Sequence, residues 1–559
     1  MRTPMVSRSS PDSAQFDEAK EILFSQGSNS DAVHSFWLIQ KIQKAIQEEH
    51  KKVTAPIGVF MDSTTPIQKR MADVLPSKAI CDRLVRAYLD GFDLLYRVLH
   101  IPSFMSQYNQ YWEGNQQPEC FLPQLLSIMC VGYRITGAGK GQFRNDREGI
   151  HMPTACALVR AWLDGLRGKQ LVEFSSLQTE VLLLMAQRVL NTHYQETWRQ
   201  LGLLVRMAMT MGLHRDPSEY SHEISPFWAE QRRKVWTTIL ELDIHFSVQL
   251  NLPCCIREGE FTCQPPRNLN DDELHPNMAE LPPSKPIEVD TNARVQVLAA
   301  NTMKTRLRVV DMVSRIDSIH DYQEIIDVAN ELEQALEDMR YLVPPKQSSD
   351  PKEEQRRWMT RVTLDVTCRR PLLALYRPFA LGSADAPKQV VTGYLRSCMI
   401  ILTYLDELDA SGPNYPHSWQ SHHLILRRDI TPASFGVCYY LKNIQQGGTP
   451  SPEGAEAAEK QEAITAACRA ASKSSVLLSL PRLRATAEKT IEDMIKCVSE
   501  IGMDLKELVA LTIVFYKYQG GAHEEKNEVQ RALQRIVDAG LEFIQLTQET
   551  ILPVTVNKG

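Results

Sequence analysis

The chain has 559 residues, 43% of them hydrophobic and 23% charged. This is ordinary globular usage in a chain long enough for a large core, and it excludes both wholesale disorder and a small disulfide- or metal-stapled scaffold. With 62 Lys and Arg against 68 Asp and Glu the formal charge is −6, which excludes a chain built as one broad basic nucleic-acid surface.

Residues 1–30 are polar and Ser-rich and read as a disordered N-terminus. They contain no apolar signal-peptide region. No apolar run in the chain approaches the ~20 residues that span a bilayer, so an intracellular chain without a membrane partner is expected. Residues 31–74 read as a short helix and linker. The helix covers 33–50, with Phe36, Ile39, Ile42 and Ile46 on one stripe, and residues 51–77 read as loop.

In residues 75–112 an amphipathic helix runs to Leu99 and His100, and Pro102 breaks it. Ser103 is placed to cap the next helix, and Phe104 and Tyr108 give that helix an apolar face. Residues 177–217 form two helices, the second striped by Trp198, Leu201, Val205, Met209 and Leu213. Gly212 suits a left-handed helix end, and His214 and Arg215 follow where a helix C-terminus favours cations. In residues 230–253, Arg233, Trp236, Leu240 and Asp243 share one helical face. Charges on an apolar face pair when buried, so Arg233 and Asp243 are expected in one buried network joining helices.

Residues 264–290, rich in proline from Pro265 to Pro286, form a turn-rich connection. Residues 343–356 and 446–462 read as linkers. Val529, Leu533, Ile536, Gly540 and Ile544 stripe a helix near the C-terminus. Spacings of three and four dominate throughout. The fold class is therefore all-α, a large multi-helix array with helices packed ridge into groove.

Motifs for chemistry fail on spacing. The glycines of 137–141 (GAGKG) lack the first glycine and the Ser/Thr of a phosphate loop, since Arg134 and Gly141 occupy those positions. His523-Glu524 has Asn527 where a zinc-binding helix needs a second histidine. His417, His422 and His423 cluster without a carboxylate or cysteine to complete a metal set, and Asn270-Asp271-Asp272-Glu273 is followed by Leu274 and Met278 rather than a further carboxylate. The twelve cysteines form no C-x-x-C pair and read as small buried hydrophobes. Arg232-Arg233-Lys234 and Lys304-x-Arg306-x-Arg308 read as solvated faces or ion pairs. No catalytic, cofactor-binding, metal or DNA-binding residue emerges, and no enzyme is expected.

Taken together, these blocks resemble the middle homology region of fungal binuclear zinc-cluster transcription factors, the fungal-specific transcription factor domain. The residues that carry the resemblance are His100, Pro102 and Phe104; then Arg206, Ala208, Gly212, Leu213, His214, Arg215 and Asp216; then Glu230, Arg232, Arg233, Trp236, Leu242 and Asp243. Ser247, Asn251 and Pro253 follow, with Asn for the usual glycine, then Pro266, Asn268 and Asp271, and Arg377-Pro378-Phe379. The signature residues read as structural. The resemblance covers residues 75–380, read as the regulatory domain, with 381–559 a C-terminal helical region packed on it. It implies a nuclear, pathway-specific transcription regulator, for example of a secondary-metabolite gene cluster. The first cysteine is Cys81, already within the helical region, so DNA contact and any zinc are expected from a missing upstream cluster or a zinc-cluster partner. Transcription machinery, a small-molecule effector and a second copy of the chain are the other partners implied. The alternative is a helical protein outside transcription that binds a small metabolite, with Met207, Met209 and Met211 near its pocket, or a protein partner.

Overall fold

The computed structural model describes residues 11–24, 30–61, 64–135, 149–190, 194–220, 224–315, 322–344, 350–382, 386–407, 418–446, 462–463, 465–470, 473, 475–499, 503–518 and 524–551. Regular structure among them is helical, with no strand, as the three- and four-residue spacings require. The GAGKG loop, the histidines at 417 and 523 and most of the 446–462 linker lie outside the described residues.

Two apolar cores organise the helices. The first gathers Lys78–Gly91, Ile101–Trp112, Phe121–Ile135, Met152–Gly165, Phe174–Val189, Tyr194–Thr210 and Pro226–Leu250 around Leu84, Ile128, Leu182, Val205 and Trp236. The second gathers Tyr322–Leu342, Pro351–Gly382, Lys388–Glu407, Ser418–Gln446, Leu480–Lys496, Leu505–Lys517 and Glu524–Ile551. Each fully buried aliphatic or aromatic side chain in these cores contributes about 1.5–3 kcal/mol. Helix Met303–Ser314 joins them, giving Leu307 and Val310 to the first and Val309 to the second. Helices on both sides of residue 380 share the second core.

The N-terminal stretch departs from the expected disorder. Pro11–Phe24 is a helix because tertiary burial compensates its weak pattern: Ala19 and Leu23 enter the second core, and Phe16 meets Phe435 edge-on. Helix Ser30–Thr54 overruns the expected 33–50 at both ends and buries Ile39, Ile42 and Ile46. Short helices Gly58–Met61 and Ile67–Asp73 occupy part of the expected 51–77 loop. Pro351 starts a helix within the expected 343–356 linker, a first-turn position where a missing N–H is harmless.

Helices Lys78–Gly91 and Phe121–Ile135 approach at Gly132. A Cβ there would lie 2.0 Å from the Leu84 carbonyl oxygen, which is backbone and cannot rotate away. Gly132→Ala should therefore lower stability by about 1–3 kcal/mol, the range for overpacking, despite alanine's better helix propensity. Thermal unfolding with circular dichroism checks this, and an unchanged or raised midpoint would contradict it.

Candidate functional site

The signature residues surround helix Pro226–Leu250. Ser225 caps it, its hydroxyl accepting from the Trp228 N–H at 3.5 Å, and Pro226 fills the first turn. Its last residue is followed by Asn251 at φ 52°, the left-handed end that the asparagine was read to tolerate. The middle of this helix is buried around its whole circumference, so its charged residues must find partners.

Asp271 is the focus. This carboxylate accepts from Lys234 Nζ at 2.8 Å and from the Ile101 N–H at 3.1 Å, and lies 2.8 Å from Arg97 Nη2. Its backbone carbonyl accepts from His100 Nε2 at 2.8 Å. Arg97 also donates to Asp93 at 3.3 Å. Burial alone would raise Asp271, but Lys234 and Arg97 hold it well below the usual carboxylate range. Asp93 has the weaker share of cation, and burial pushes it up to about 6. Gln296 closes the cluster, donating to the Lys234 carbonyl and the Thr238 hydroxyl, each at 3.0 Å.

His100, rather than Ser103, is the N-cap of helix Ile101–Trp112. The helix begins one residue before Pro102, which puts Ser103 inside the first turn. The Ser103 N–H and hydroxyl then turn back to His100 Nδ1, at 3.4 and 2.7 Å. With Nε2 donating to Asp271 and Nδ1 accepting, the imidazole is held neutral, and burial pushes its pKa down. Phe104 is buried 5.9 Å from Phe121, and Pro102 is exposed.

The Gly212 block folds as its pattern indicated. Gly212 has φ +75°, and the Leu213 N–H returns to the Ala208 carbonyl at 3.0 Å. A Cβ on Gly212 would also meet the Tyr220 hydroxyl at 2.5 Å. The cation at this helix end is Arg232, donating to the Met211 carbonyl at 2.8 Å, and not Arg215, which is exposed and pairs with Glu219. The His214 carbonyl accepts from the Thr262 and Cys263 N–H groups at 2.9 and 3.1 Å. Arg206 is exposed and donates to its own helix at Gly202. Leu213 and Trp236 are fully buried.

Arg233 and Asp243 do not share a network. Arg233 grips Asp216 through two hydrogen bonds of 2.9 and 2.7 Å and lies 3.5 Å from Glu230. Asp216 also accepts from the Gln264 N–H and from Ser218. Asp243 instead accepts from the Cys255 and Ile256 N–H groups, at 3.1 and 2.9 Å. The two residues are ten positions apart, and by Asp243 the helix faces the returning chain rather than the Gly212 turn. Glu230 receives the Arg267 N–H, and exposed Pro253 receives the Ser247 hydroxyl at 3.3 Å.

The 264–290 connection is turn-rich, as expected, with one 3-10 turn at Asp271–Glu273, and it is firmly stitched. Asn268 is 1% exposed; its amide donates to the Pro286 carbonyl at 2.8 Å and its Oδ1 accepts from Thr291 at 2.6 Å. Pro266 is buried beside it. Arg377-Pro378-Phe379 lies within helix Pro351–Gly382. The sequence reading missed Arg97, Glu241 and Gln296 as partners, and left Lys234 and Arg306 between solvated face and ion pair; both form ion pairs. Their one signal is a charged or amide side chain inside an apolar segment, as in Leu94-Leu95-Tyr96-Arg97-Val98-Leu99. Of the Lys304-x-Arg306-x-Arg308 set, Arg306 is the buried one, paired with Glu241 through bonds of 2.7 and 2.6 Å. Met207, Met209 and Met211 pack partly buried against the first core.

The arrangement positions helices through buried ion pairs and caps. Among the described residues no group of three His, Cys, Asp or Glu side chains could hold a metal ion, and no helix is long and apolar enough to cross a membrane.

Asp271→Asn strands Arg97 and Lys234 in a buried site and should destabilise by about 3–5 kcal/mol; a loss below ~0.5 kcal/mol, the range of surface changes, would contradict the hub. Burial pushes Asp243 up to about 6, although two N–H donors oppose it. Between about pH 4, where an unfolded aspartate titrates, and about pH 6 the folded chain keeps a proton that the unfolded chain has lost. Stability should therefore fall as pH rises through that window, by up to ~1.4 kcal/mol per pH unit for this one group. Asp243→Asn should flatten the slope in pH-dependent urea unfolding, and an unaltered slope would contradict the assignment.

Comparison with known proteins places these blocks. Residues 85–341 match the family model described as fungal specific transcription factor domain. The transcription factor opdR of Penicillium oxalicum is 30% identical over 348 residues, covering 61% of this chain and 43% of that protein. The transcription factor lepE of Aspergillus flavus is 27% identical over 444 residues, 78% of this chain and 50% of that protein. The Equisetin cluster transcription factor eqxF of Fusarium heterosporum is 27% identical over 424 residues, 71% of this chain and 59% of that protein. The chain thus spans about half the length of the curated relatives it matches. The His100, Gly212 and Arg233 blocks fall inside the matched span and fold onto one buried helix, and residues 85–341 are a fungal-specific transcription factor domain.

Proposed function

We propose that the chain is the regulatory part of a nuclear, pathway-specific transcription regulator, in the setting of a secondary-metabolite gene cluster. The observation that carries this reading is the match of residues 85–341 to the transcription factor domain, with relatives named as regulators of the equisetin and fusarisetin A clusters. The regulatory unit is proposed to cover 75–380, with 381–559 packed on it. No catalytic role is assigned. DNA contact is assigned to a zinc-cluster module upstream of this chain or on a partner, and regulation to a small effector.

The distribution of charge supports an indirect role at DNA. Arg97, Lys234, Arg306, Arg369 and Arg370 are buried and paired with Asp271, Glu241, Asp365 and Asp429. These cations hold helices together and are not available to phosphates.

Fluorescent tagging and transcript profiling of a deletion strain test the reading. Nuclear signal and loss of a discrete gene set are expected; cytosolic signal with unchanged transcripts would overturn it in favour of a helical metabolite- or protein-binding role. These 559 residues alone should bind duplex DNA weakly and without sequence preference, and tight, salt-resistant, sequence-specific binding would contradict the proposed division of labour.

A further inference from the structure

Helices Tyr322–Leu342 and Lys388–Glu407 both pack on the long helix Pro351–Gly382, and the three leave a cavity of about 300 Å³ between them. Leu336, Met339 and Val343 line it from the first side, Leu364 from the long helix and Ile400 from the third. Close-packed interiors leave few voids larger than a water molecule, and this space is about ten times a water's share of volume. A cavity of ~150 Å³ with an aliphatic lining holds benzene. This one has room for an apolar body of about two rings.

The polar part of the lining is Arg340, Arg361, Asp365, Thr403 and Tyr404. Asp365 is buried, and Arg369 holds both of its oxygens, at 2.5 and 2.6 Å. Burial would raise its pKa, but Arg369 and Arg340 keep it below the usual carboxylate range, and the Tyr404 hydroxyl donates to it. Burial and Asp365 push the Tyr404 phenol well up, so it remains a donor. The Thr403 hydroxyl is turned to the Ile400 carbonyl of its own helix, at 2.9 Å. Arg340 adds one longer bond to Asp365, 3.3 Å from Nη2. Its side chain is 49% exposed, so it stands where the cavity meets solvent. Its other N–H groups have no protein acceptor among the described residues and are left to water or to a ligand.

We propose that this cavity binds a small uncharged molecule of one or two rings, whose carbonyl oxygen accepts from Arg340 at the mouth. A guanidinium only donates, so the ligand must bring the acceptor. The aliphatic walls require an apolar body, with a single polar group to fix its orientation. Asp365 beside Arg340 would repel a carboxylate placed there. Leu336, Met339 and Arg340 fall within residues 85–341, and the rest of the lining lies beyond them. An occupant therefore touches the last helix of the family domain and two C-terminal helices at once. This gives the small effector of the function proposed above a site and a chemical class, and its regulatory meaning rests on that reading; the binding itself does not.

The test is equilibrium dialysis of the full chain against 2-acetylnaphthalene, naphthalene and 2-naphthoate. Saturable binding of 2-acetylnaphthalene is expected, about tenfold tighter than naphthalene, as one hydrogen bond from a charged donor provides. Arg340→Met keeps the apolar stem and should lower the ketone to naphthalene's affinity. It should melt close to wild type, because Arg369 still holds Asp365. Thr403→Trp places an indole in the space and should abolish binding of both. No saturable binding by wild type, an unchanged ketone affinity in either variant, or tighter binding of 2-naphthoate than of the ketone would overturn the site. So would an Arg340→Met chain that melts several degrees lower, because Arg340 would then be structural. If Thr403→Trp does not fold, Arg340→Met decides alone. Absent binding with nuclear signal and transcript loss intact refutes the site only; binding in a chain whose deletion leaves transcripts unchanged keeps the site and refutes the regulator.

Discussion

A carboxylate at the start of a single 3-10 turn, Asp271, sets the geometry on which the first half of the molecule depends. It receives one cation from helix Pro226–Leu250 and one from the chain leading into helix Ile101–Trp112, and its own carbonyl holds the His100 cap. Two helix directions and one long connection are thus defined by a single residue. Apolar packing alone would not do this, because grease tolerates sliding. Buried ions contribute little net stability over well-packed apolar residues, but a misplaced partner is costly. Such a cluster discriminates against wrong arrangements more than it deepens the right one.

The same device recurs at each seam. Arg233 with Asp216 fastens the Gly212 turn, Arg306 with Glu241 ties the connecting helix Met303–Ser314 to the central helix, and Arg369 with Asp365 sits in the second core. Each of these guanidiniums has a carboxylate within hydrogen-bond reach. Arginines buried and paired in this way are not available to phosphates, and they hold a defined arrangement that a ligand or partner can bias.

What the sequence disclosed was local. Gly212 and Asn251 announce helix ends because the backbone conformation each one needs is settled within a few residues; Pro102 marks instead the first turn of a helix, and the helix expected to run to His100 stops at Gly91. The apolar stripes announce buried faces for the same reason. Partners are different: Asp271 lies 37 residues from Lys234 and 170 from Ile101, and no period in the chain encodes such a distance. Arg233 and Asp243 share a face, which made one network look natural, but successive turns of a buried helix meet different neighbours. Helix Pro11–Phe24 escaped notice because its burial depends on a few residues such as Ala19 and Leu23, received by a core built far downstream. His100 as a cap was hidden by the serine three residues on, whose hydroxyl proved to be the partner of the cap rather than the cap.

Arg188, like Arg232, has no ion pair among the described residues, and the surroundings explain how the fold tolerates it. Arg188 lies in the last turn of helix Phe174–Val189, where the carbonyl ends supply roughly half a negative charge. The face of Phe246 adds a weak attraction of about 0.5–1 kcal/mol at exposed sites and more when desolvated. Asp429 and the Tyr96 hydroxyl add to these, so this cation is balanced by several partial contributions rather than by one paired carboxylate.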